Sequence, residues 1–173
     1  MEKKEQWTAW PFVAAIDGFS GSGKTTLAID LKCKLEEREK TVSVIHLDDY
    51  VRERSKRYNT GFPEWHEYYY LQWDVENLKN ELFPILRSGQ IQTDFVLVEG
   101  IFLQRTAWSE WFDWALFVDC PREIRYERIL SRGTYQGKLE DRRALYENRY
   151  WPGEEHYLAT EKPMEKADKI IKS

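Results

Sequence analysis

The sequence has little of what defines several large classes of protein. Its 2 cysteines, Cys33 and Cys120, have no spacing typical of a metal site or a disulfide framework, so we expect both to be reduced in the core. No apolar run approaches the length of a membrane span, and there are no internal repeats. The net charge of −4 argues against a protein that coats nucleic acid. These absences favour a soluble cytoplasmic protein whose partner is neither nucleic acid nor membrane, and they leave oligomer formation open.

The strongest motif lies at residues 18–26, GFSGSGKTT, and fits the phosphate-binding pattern G-x-x-x-x-G-K-[ST]. Glycines allow successive backbone N–H groups to face one anion without a Cβ in the way. Lys24 can reach the β and γ phosphates of a nucleotide, and the hydroxyl of Thr25 can bind Mg²⁺. The sequence therefore predicts these nucleotide-binding residues: Gly18, Ser20, Gly21, Ser22, Gly23, Lys24, Thr25 and Thr26.

The segments around this loop alternate between strand and helix. The apolar patterns predict strands at residues 12–16, 41–47, 95–98, 114–118 and 167–171, and helices at 25–35, 75–87, 121–132 and 142–150. We expect Pro84 to kink the second of these helices, Pro152-Gly153 to interrupt the last, and residues 51–67 to form a mobile loop with a short helix. Such alternation indicates a parallel sheet in one domain, with ligands bound at the carboxyl ends of its strands.

Three acids, Asp48, Glu99 and Asp119, lie at these predicted strand ends, and the first two are candidates for chemistry. Asp48 is the candidate catalytic base, because a carboxylate beside the loop can accept a hydroxyl proton. The alternative is that Asp48 or Asp49 only caps the next segment. Glu99 follows a buried strand and could bind Mg²⁺ directly or through water, or could bond to loop amides instead.

Positive charge for a moving phosphoryl group is predicted on one helix. Arg125, Arg128 and Arg132 have i, i+3 and i+7 spacing, so they share a face. With Gly133 and Gly137 following, this segment is typical of a lid, although a solvated face paired with acidic neighbours is the alternative for each arginine.

Trp73 and Asp74 form a candidate acceptor site. The ring could stack on a flat group while the carboxylate binds vicinal hydroxyls. A core tryptophan followed by a helix N-cap explains the pair equally well at this level.

The ordered set of motifs resembles the uridine kinase and phosphoribulokinase family, and nicotinamide riboside kinases are also similar to it. The resemblance rests on GFSGSGKTT (18–26), HLDDY (46–50), LQWDV (71–75), LVEGIF (97–102), VDCPREIRYERILSR (118–132) and ADKII (167–171). It implies a three-layer α/β/α P-loop NTPase fold with a mostly parallel five-stranded sheet and a helical lid. Residues 1–173 would form one kinase domain, with the lid at about 122–143 and an acceptor-side segment at about 50–74.

The resemblance also implies roles for individual residues. Asp48, Lys24 and Arg128 would be catalytic, Thr25 and Glu99 would hold Mg²⁺, and ATP or GTP would be the donor. Arg128 and Arg132 would bind the nucleotide. Asp48, Trp73, Asp74 and Arg125 would bind the acceptor.

The chain departs from the family where a base-recognition hairpin is usual, because residues 87–94 are too few to form one. Tyr50-Val51 also replaces the usual aromatic pair. The prediction is therefore a small-molecule kinase acting on a nucleoside or a similar ribosyl-like alcohol. The alternative is a nucleotide-dependent switch or regulatory ATPase that binds a protein through the aromatic segment 62–73.

Overall fold

The computed structural model describes residues 11–131 and 138–173. Its centre is a five-stranded sheet with the strand order β2-β3-β1-β4-β5. The strands are β1 (Phe12–Gly18), β2 (Val42–His46), β3 (Phe95–Glu99), β4 (Trp114–Asp119) and β5 (Lys169–Lys172). Every pair of neighbouring strands is parallel, so the predicted fold is confirmed and the sheet is more uniform than expected.

Helices cover both faces of this sheet. They are α1 (Lys24–Glu36), α2 (Glu64–Tyr70), α3 (Val75–Asn77), α4 (Phe83–Arg87), α5 (Arg122–Ser131), α6 (Leu139–Leu145), α7 (Trp151–Glu161) and α8 (Pro163–Lys166). Successive side chains of a strand point to opposite faces. Accordingly Val13 and Ala15 join a core with α4 and α7, whereas Ala14 and Ile16 join a second core under α1. None of the helices in the described ranges is both long and apolar enough to cross a membrane.

Two prolines lie in the same helical setting. Pro84 lies in the first turn of α4, directly after a π-helical turn at Leu78–Leu82, so residues 75–87 stay helical with this turn just before the proline. The predicted interruption at Pro152-Gly153 is wrong, because a π-helical turn at Tyr146–Tyr150 joins α6 to α7 and the chain stays helical through Pro152. Gly153 permits close packing of helices, since a Cβ there would lie 2.7 Å from a ring atom of Tyr68.

The segment 51–67 is held by a buried arginine, which the sequence did not predict. Arg149 is 0% exposed and donates hydrogen bonds to Glu67 Oε2 at 3.0 Å and to the carbonyl of Arg57 at 2.9 Å. Glu67 also accepts hydrogen bonds from the N–H and hydroxyl groups of Thr60. The segment contains a 3₁₀ turn at Arg54–Lys56 and leads into α2.

The two cysteines differ in exposure. Cys120 is buried after β4, as predicted, but Cys33 is exposed on α1. The core-facing side chains of α1 are Leu27, Ala28, Leu31 and Leu35. Position 33 falls outside this stripe, because successive helical residues are about 100° apart.

Candidate active site

The P-loop presents its backbone to a ligand. α1 begins at Lys24, and its N-cap Gly23 has a φ of 97° with no side chain bonded to the first N–H groups of the helix. Gly21 also has a positive φ, and a Cβ there would lie 2.8 Å from the carbonyl oxygen of Arg125. The free N–H groups of a helix start attract phosphate, so this geometry fits the predicted nucleotide-binding loop.

Lys24 lies at the base of this loop. Its side chain is buried and its Nζ donates a hydrogen bond to the carbonyl of Phe19 at 3.0 Å. Burial lowers the pKa of Lys24, while the negative charges of Glu99 and Asp48 oppose that change. The ammonium group is therefore near both acids and has little competing solvent.

Thr25 and Glu99 form a donor set that suits magnesium. The hydroxyl of Thr25 donates to Glu99 Oε1 at 3.2 Å, which leaves the lone pairs of the hydroxyl oxygen for a cation. Hydroxyl and carboxylate oxygens are the ligands that Mg²⁺ prefers, together with phosphate oxygens and water. Within the described ranges no three His, Cys, Asp or Glu side chains are grouped to hold a metal alone. The residues fit an ion shared with a nucleotide.

Asp48 lies in a 3₁₀ turn, Leu47–Tyr50, directly after β2, and it is close to Lys24. These residues line a cavity of about 260 Å³ with Thr25 and Glu99. Although Asp48 is exposed on one side, the surrounding protein desolvates its carboxyl and raises its pKa. The charge of Lys24 opposes this shift, while Glu99 and Asp49 add to it. A carboxylate with a raised pKa is a stronger base.

A second cavity of about 290 Å³ adjoins the first. Asp48, Ser20 and Tyr146 line both cavities, so the carboxylate of Asp48 lies at their junction. The second cavity is also lined by Arg57, Tyr68, Gln72 and Tyr150, together with the apolar side chains of Val51 and Ile101.

Several polar groups border this second cavity. Gln72 Oε1 is buried and has no hydrogen-bond partner among the described residues. Burial raises the pKa of the hydroxyl groups of Tyr68 and Tyr150, so both remain protonated; the Tyr68 hydroxyl also bonds to Ser20 and the Tyr150 hydroxyl to Tyr58. We call this cavity the acceptor cavity.

The structure does not bring Trp73 into the acceptor cavity. Its side chain is 1% exposed and packs edge-on against Phe102 and Trp108. Its Nε1 donates to the carbonyl of Leu47 at 3.1 Å, next to the proposed base. Asp74 is the N-cap of α3 and accepts from the N–H of Asn77 at 3.1 Å. Trp73 is therefore a core residue and Asp74 a helix N-cap, which is the alternative that the sequence left open for this pair.

Arg125 and Arg128, two of the predicted arginines, lie in different surroundings. Arg125 is buried in a two-point ion pair with Glu154, with N–O distances of 2.9 and 2.8 Å, and its Nη1 lies 3.4 Å from the carbonyl of Ser20. It supports the P-loop from behind and does not line the acceptor cavity.

Arg128 lies on the open side of α5. Its Nη1 donates to the carbonyl of Gly21 at 3.4 Å, and it lines a third cavity of about 390 Å³ with Gly23 and Thr26. This position suits contact with a nucleotide on the P-loop. Arg132 lies outside the described residues.

Sequence reasoning missed a buried acid under the loop. Asp17 is 0% exposed and accepts hydrogen bonds from the Tyr157 hydroxyl at 2.5 Å and the N–H of Gly18 at 2.7 Å. Desolvation raises the pKa of Asp17, and these hydrogen bonds oppose the change. An acidic residue at the end of an apolar strand was the available signal. No comparable signal marks the tyrosines of the acceptor cavity.

Comparison with known proteins gives a family. Residues 15–150 match the family model described as an AAA domain. A protein named uridine kinase from Leuconostoc citreum (strain KM20) is 27% identical over 175 residues, covering 89% of this chain and 79% of the relative. A solved structure from Bacillus stearothermophilus, described as a "possible uridine kinase", is 38% identical, covers 95% of this chain and 90% of its own, and has a TM-score of 0.77.

The fold extends to more distant proteins. A sugar kinase structure from Janibacter sp. HTCC2649 is 15% identical, covers 94% of this chain and 84% of its own, and has a TM-score of 0.52, which shows shared fold alone. The relatives confirm the prediction of a small-molecule kinase and give no support to the nucleotide switch. The chain belongs to the uridine kinase-like family of P-loop kinases.

Proposed function

We propose that the protein transfers the γ-phosphate of ATP or GTP to a hydroxyl group of a nucleoside or another ribosyl-like small molecule, in the cytoplasm. The observation that carries the proposal is the position of Asp48 at the junction of two cavities. One cavity is bounded by the P-loop and the other by tyrosine and amide side chains. An alcohol in the acceptor cavity would meet a base on the side where the terminal phosphate is held.

Asp48 acts as the general base in this proposal. Its carboxylate accepts the proton of the acceptor hydroxyl as the hydroxyl oxygen bonds to the γ-phosphorus. The bond from that phosphorus to the bridging oxygen of the nucleotide breaks, and the nucleoside diphosphate leaves with those electrons. The raised pKa of Asp48 favours acceptance of the proton.

Lys24 and the P-loop N–H groups bind the phosphates and stabilise the charge that develops on them. Thr25 and Glu99 are the residues that would hold Mg²⁺, which when bound supplies further neutralisation of phosphate charge. Arg128 would contact the nucleotide from α5. Arg132 stays in the proposal as a second cation of a lid spanning about 122–143 within a single kinase domain.

The acceptor cavity suits a compact molecule rich in hydroxyl groups. Tyr68 and Tyr150 can donate hydrogen bonds, the Gln72 amide offers an unpaired acceptor, and Arg57 adds a positive charge. The named uridine kinases among the relatives favour a nucleoside. Trp73 would contribute indirectly, because its indole N–H holds the carbonyl next to Asp48.

An acceptor panel tests the proposal. ATP and GTP consumption would be measured with nucleosides, pentoses and sugar alcohols, and ³¹P NMR would identify a new phosphate ester. We expect turnover that requires an acceptor and yields such an ester. Hydrolysis at the same rate with and without every acceptor would contradict the proposal.

A further inference from the structure

His46 contacts the proposed magnesium residue Glu99. In the sheet register, His46 at the end of β2 is directly paired with Glu99 at the end of β3. Paired residues of adjacent parallel strands point to the same face, so their side chains can meet. His46 Nδ1 lies 2.6 Å from Glu99 Oε1. Beside a carboxylate, which only accepts hydrogen bonds, Nδ1 is assigned as the donor.

The carboxylate of Glu99 is held at one oxygen. Oε1 accepts from His46 and also from the hydroxyl of Thr25 at 3.2 Å. Oε2 accepts no hydrogen bond from the described residues, and Glu99 lines the cavity beside the P-loop. Two donors on one oxygen fix the rotation of the carboxylate about its last side-chain torsion. The second oxygen is then the one left for a cation or its water.

The two donors to Glu99 Oε1, Thr25 and His46, belong to different parts of the site. Thr25 is a magnesium residue in the proposed function, and the Lys24 ammonium also lies close enough to Glu99 for their charges to interact. Without a second donor on Oε1, the Glu99 carboxylate could rotate toward the Lys24 ammonium. It would then neutralise the positive charge that binds the nucleotide phosphates in the proposed function. His46 is 40% exposed at its side chain and comes from a different strand, so it can hold Glu99 independently of the P-loop.

We propose that His46 is a positioning residue that orients Glu99 toward the magnesium–nucleotide complex. The inference rests on the proposed use of Mg²⁺ and a nucleotide. Partners that orient a metal ligand typically contribute 10- to 100-fold to metal affinity, which is about the size expected here. A histidine that only satisfied a buried carboxylate would affect stability without a selective effect on metal affinity.

Mn²⁺ binding measured by electron paramagnetic resonance, with a non-hydrolysable ATP analogue present, tests this role. We expect His46→Leu to raise the dissociation constant for Mn²⁺ by about 10- to 100-fold. His46→Gln, which keeps an N–H donor, should recover part of the loss. His66→Leu is the matched control, because His66 on α2 packs on Phe62 and Tyr70. Affinity for the analogue without metal should stay unchanged in all three variants.

The possible outcomes separate the two proposals. If wild type binds Mn²⁺ with the analogue and His46→Leu binds within twofold of it, at an equal thermal midpoint, the role of His46 is refuted and the proposed function stands. If wild type shows no analogue-dependent Mn²⁺ binding, the proposed function fails and this inference fails with it.

Discussion

The two cavities that meet at Asp48 are built in different ways. The phosphate side combines the backbone N–H groups at the start of α1 with the side chains of Lys24, Thr25 and Glu99. The acceptor side consists of side-chain hydroxyl, amide and guanidinium groups on separate elements. Backbone groups bind any nucleoside triphosphate with little dependence on side chains, whereas side-chain groups can be exchanged without disturbing the loop. In the proposed function, donor binding therefore depends on the fold of the loop, whereas acceptor choice depends on side chains that can be exchanged.

The largest effect is expected for a substitution of Asp48, where the two cavities meet. Asp48→Asn removes the proposed base but keeps the size of the side chain, so turnover should fall by about 10²- to 10⁴-fold. Nucleotide affinity, measured by titration calorimetry, should change little. Asp49→Asn is the matched control and should retain turnover near the wild-type value at neutral pH. Full activity in Asp48→Asn would remove Asp48 from the mechanism.

The buried ion pair between Arg125 and Glu154 lies behind the P-loop, and a substitution of Glu154 tests how much this pair stabilises the protein. Glu154→Gln leaves Arg125 buried without its carboxylate partner, and we expect a loss of about 3–5 kcal/mol in the free energy of unfolding. Glu155 on the same helix pairs with Arg122 at the surface, where the two side chains are 60% and 37% exposed. Glu155→Gln should cost at most about 1 kcal/mol. Equal losses in urea denaturation would contradict a special role for the buried pair.

A smaller effect is expected at Gln72, and it tests whether the two cavities act independently. Gln72→Leu removes the unpaired amide oxygen from the acceptor cavity, so KM for the acceptor should rise about 2- to 10-fold, the worth of one neutral hydrogen bond. KM for the nucleotide should not change, because Gln72 does not line the P-loop cavity. Steady-state kinetics with each substrate varied in turn provides the measurement. An equal rise in both KM values would show that the sides are not independent.

The smallest effect concerns pH. The negative charge of Asp49 helps to raise the pKa of Asp48, and the base must be deprotonated to act. Asp49→Asn should therefore lower the pKa of Asp48 and move the acidic limb of the kcat profile to lower pH. Glu37→Gln, at the opposite end of α1, is the control and should leave the limb in place. A shift to higher pH in Asp49→Asn would contradict this electrostatic arrangement.

The same difference in construction explains what the sequence could predict. The loop at residues 18–26 and the acids Asp48 and Glu99 depend on local motifs and on strand ends, and each is found where the pattern indicated. The acceptor cavity joins Ser20, Gln72 and Tyr146, which are far apart in sequence. Their meeting depends on how α2 packs against the helical turn at Tyr146–Tyr150, and no local pattern records that packing.

Individual side chains show the same limit. From the sequence alone, Trp73 fits a stacking ring and a core residue equally well. Its contacts with Phe102 and Trp108 decide for the core. Arg125 shares a predicted helix face with Arg128, yet a carboxylate 29 residues away draws it inward. Periodicity predicts which face a residue occupies, but it does not predict the partner that the residue finds there.

A structure of the protein with magnesium, a non-hydrolysable ATP analogue and an accepted alcohol tests the central claim most directly. The account predicts an Asp48 carboxylate oxygen about 2.6–3.2 Å from the acceptor hydroxyl. The hydroxyl oxygen should lie about 3–3.5 Å from the γ-phosphorus. An acceptor hydroxyl bound out of reach of Asp48, with the carboxylate turned away from the phosphate, would contradict it.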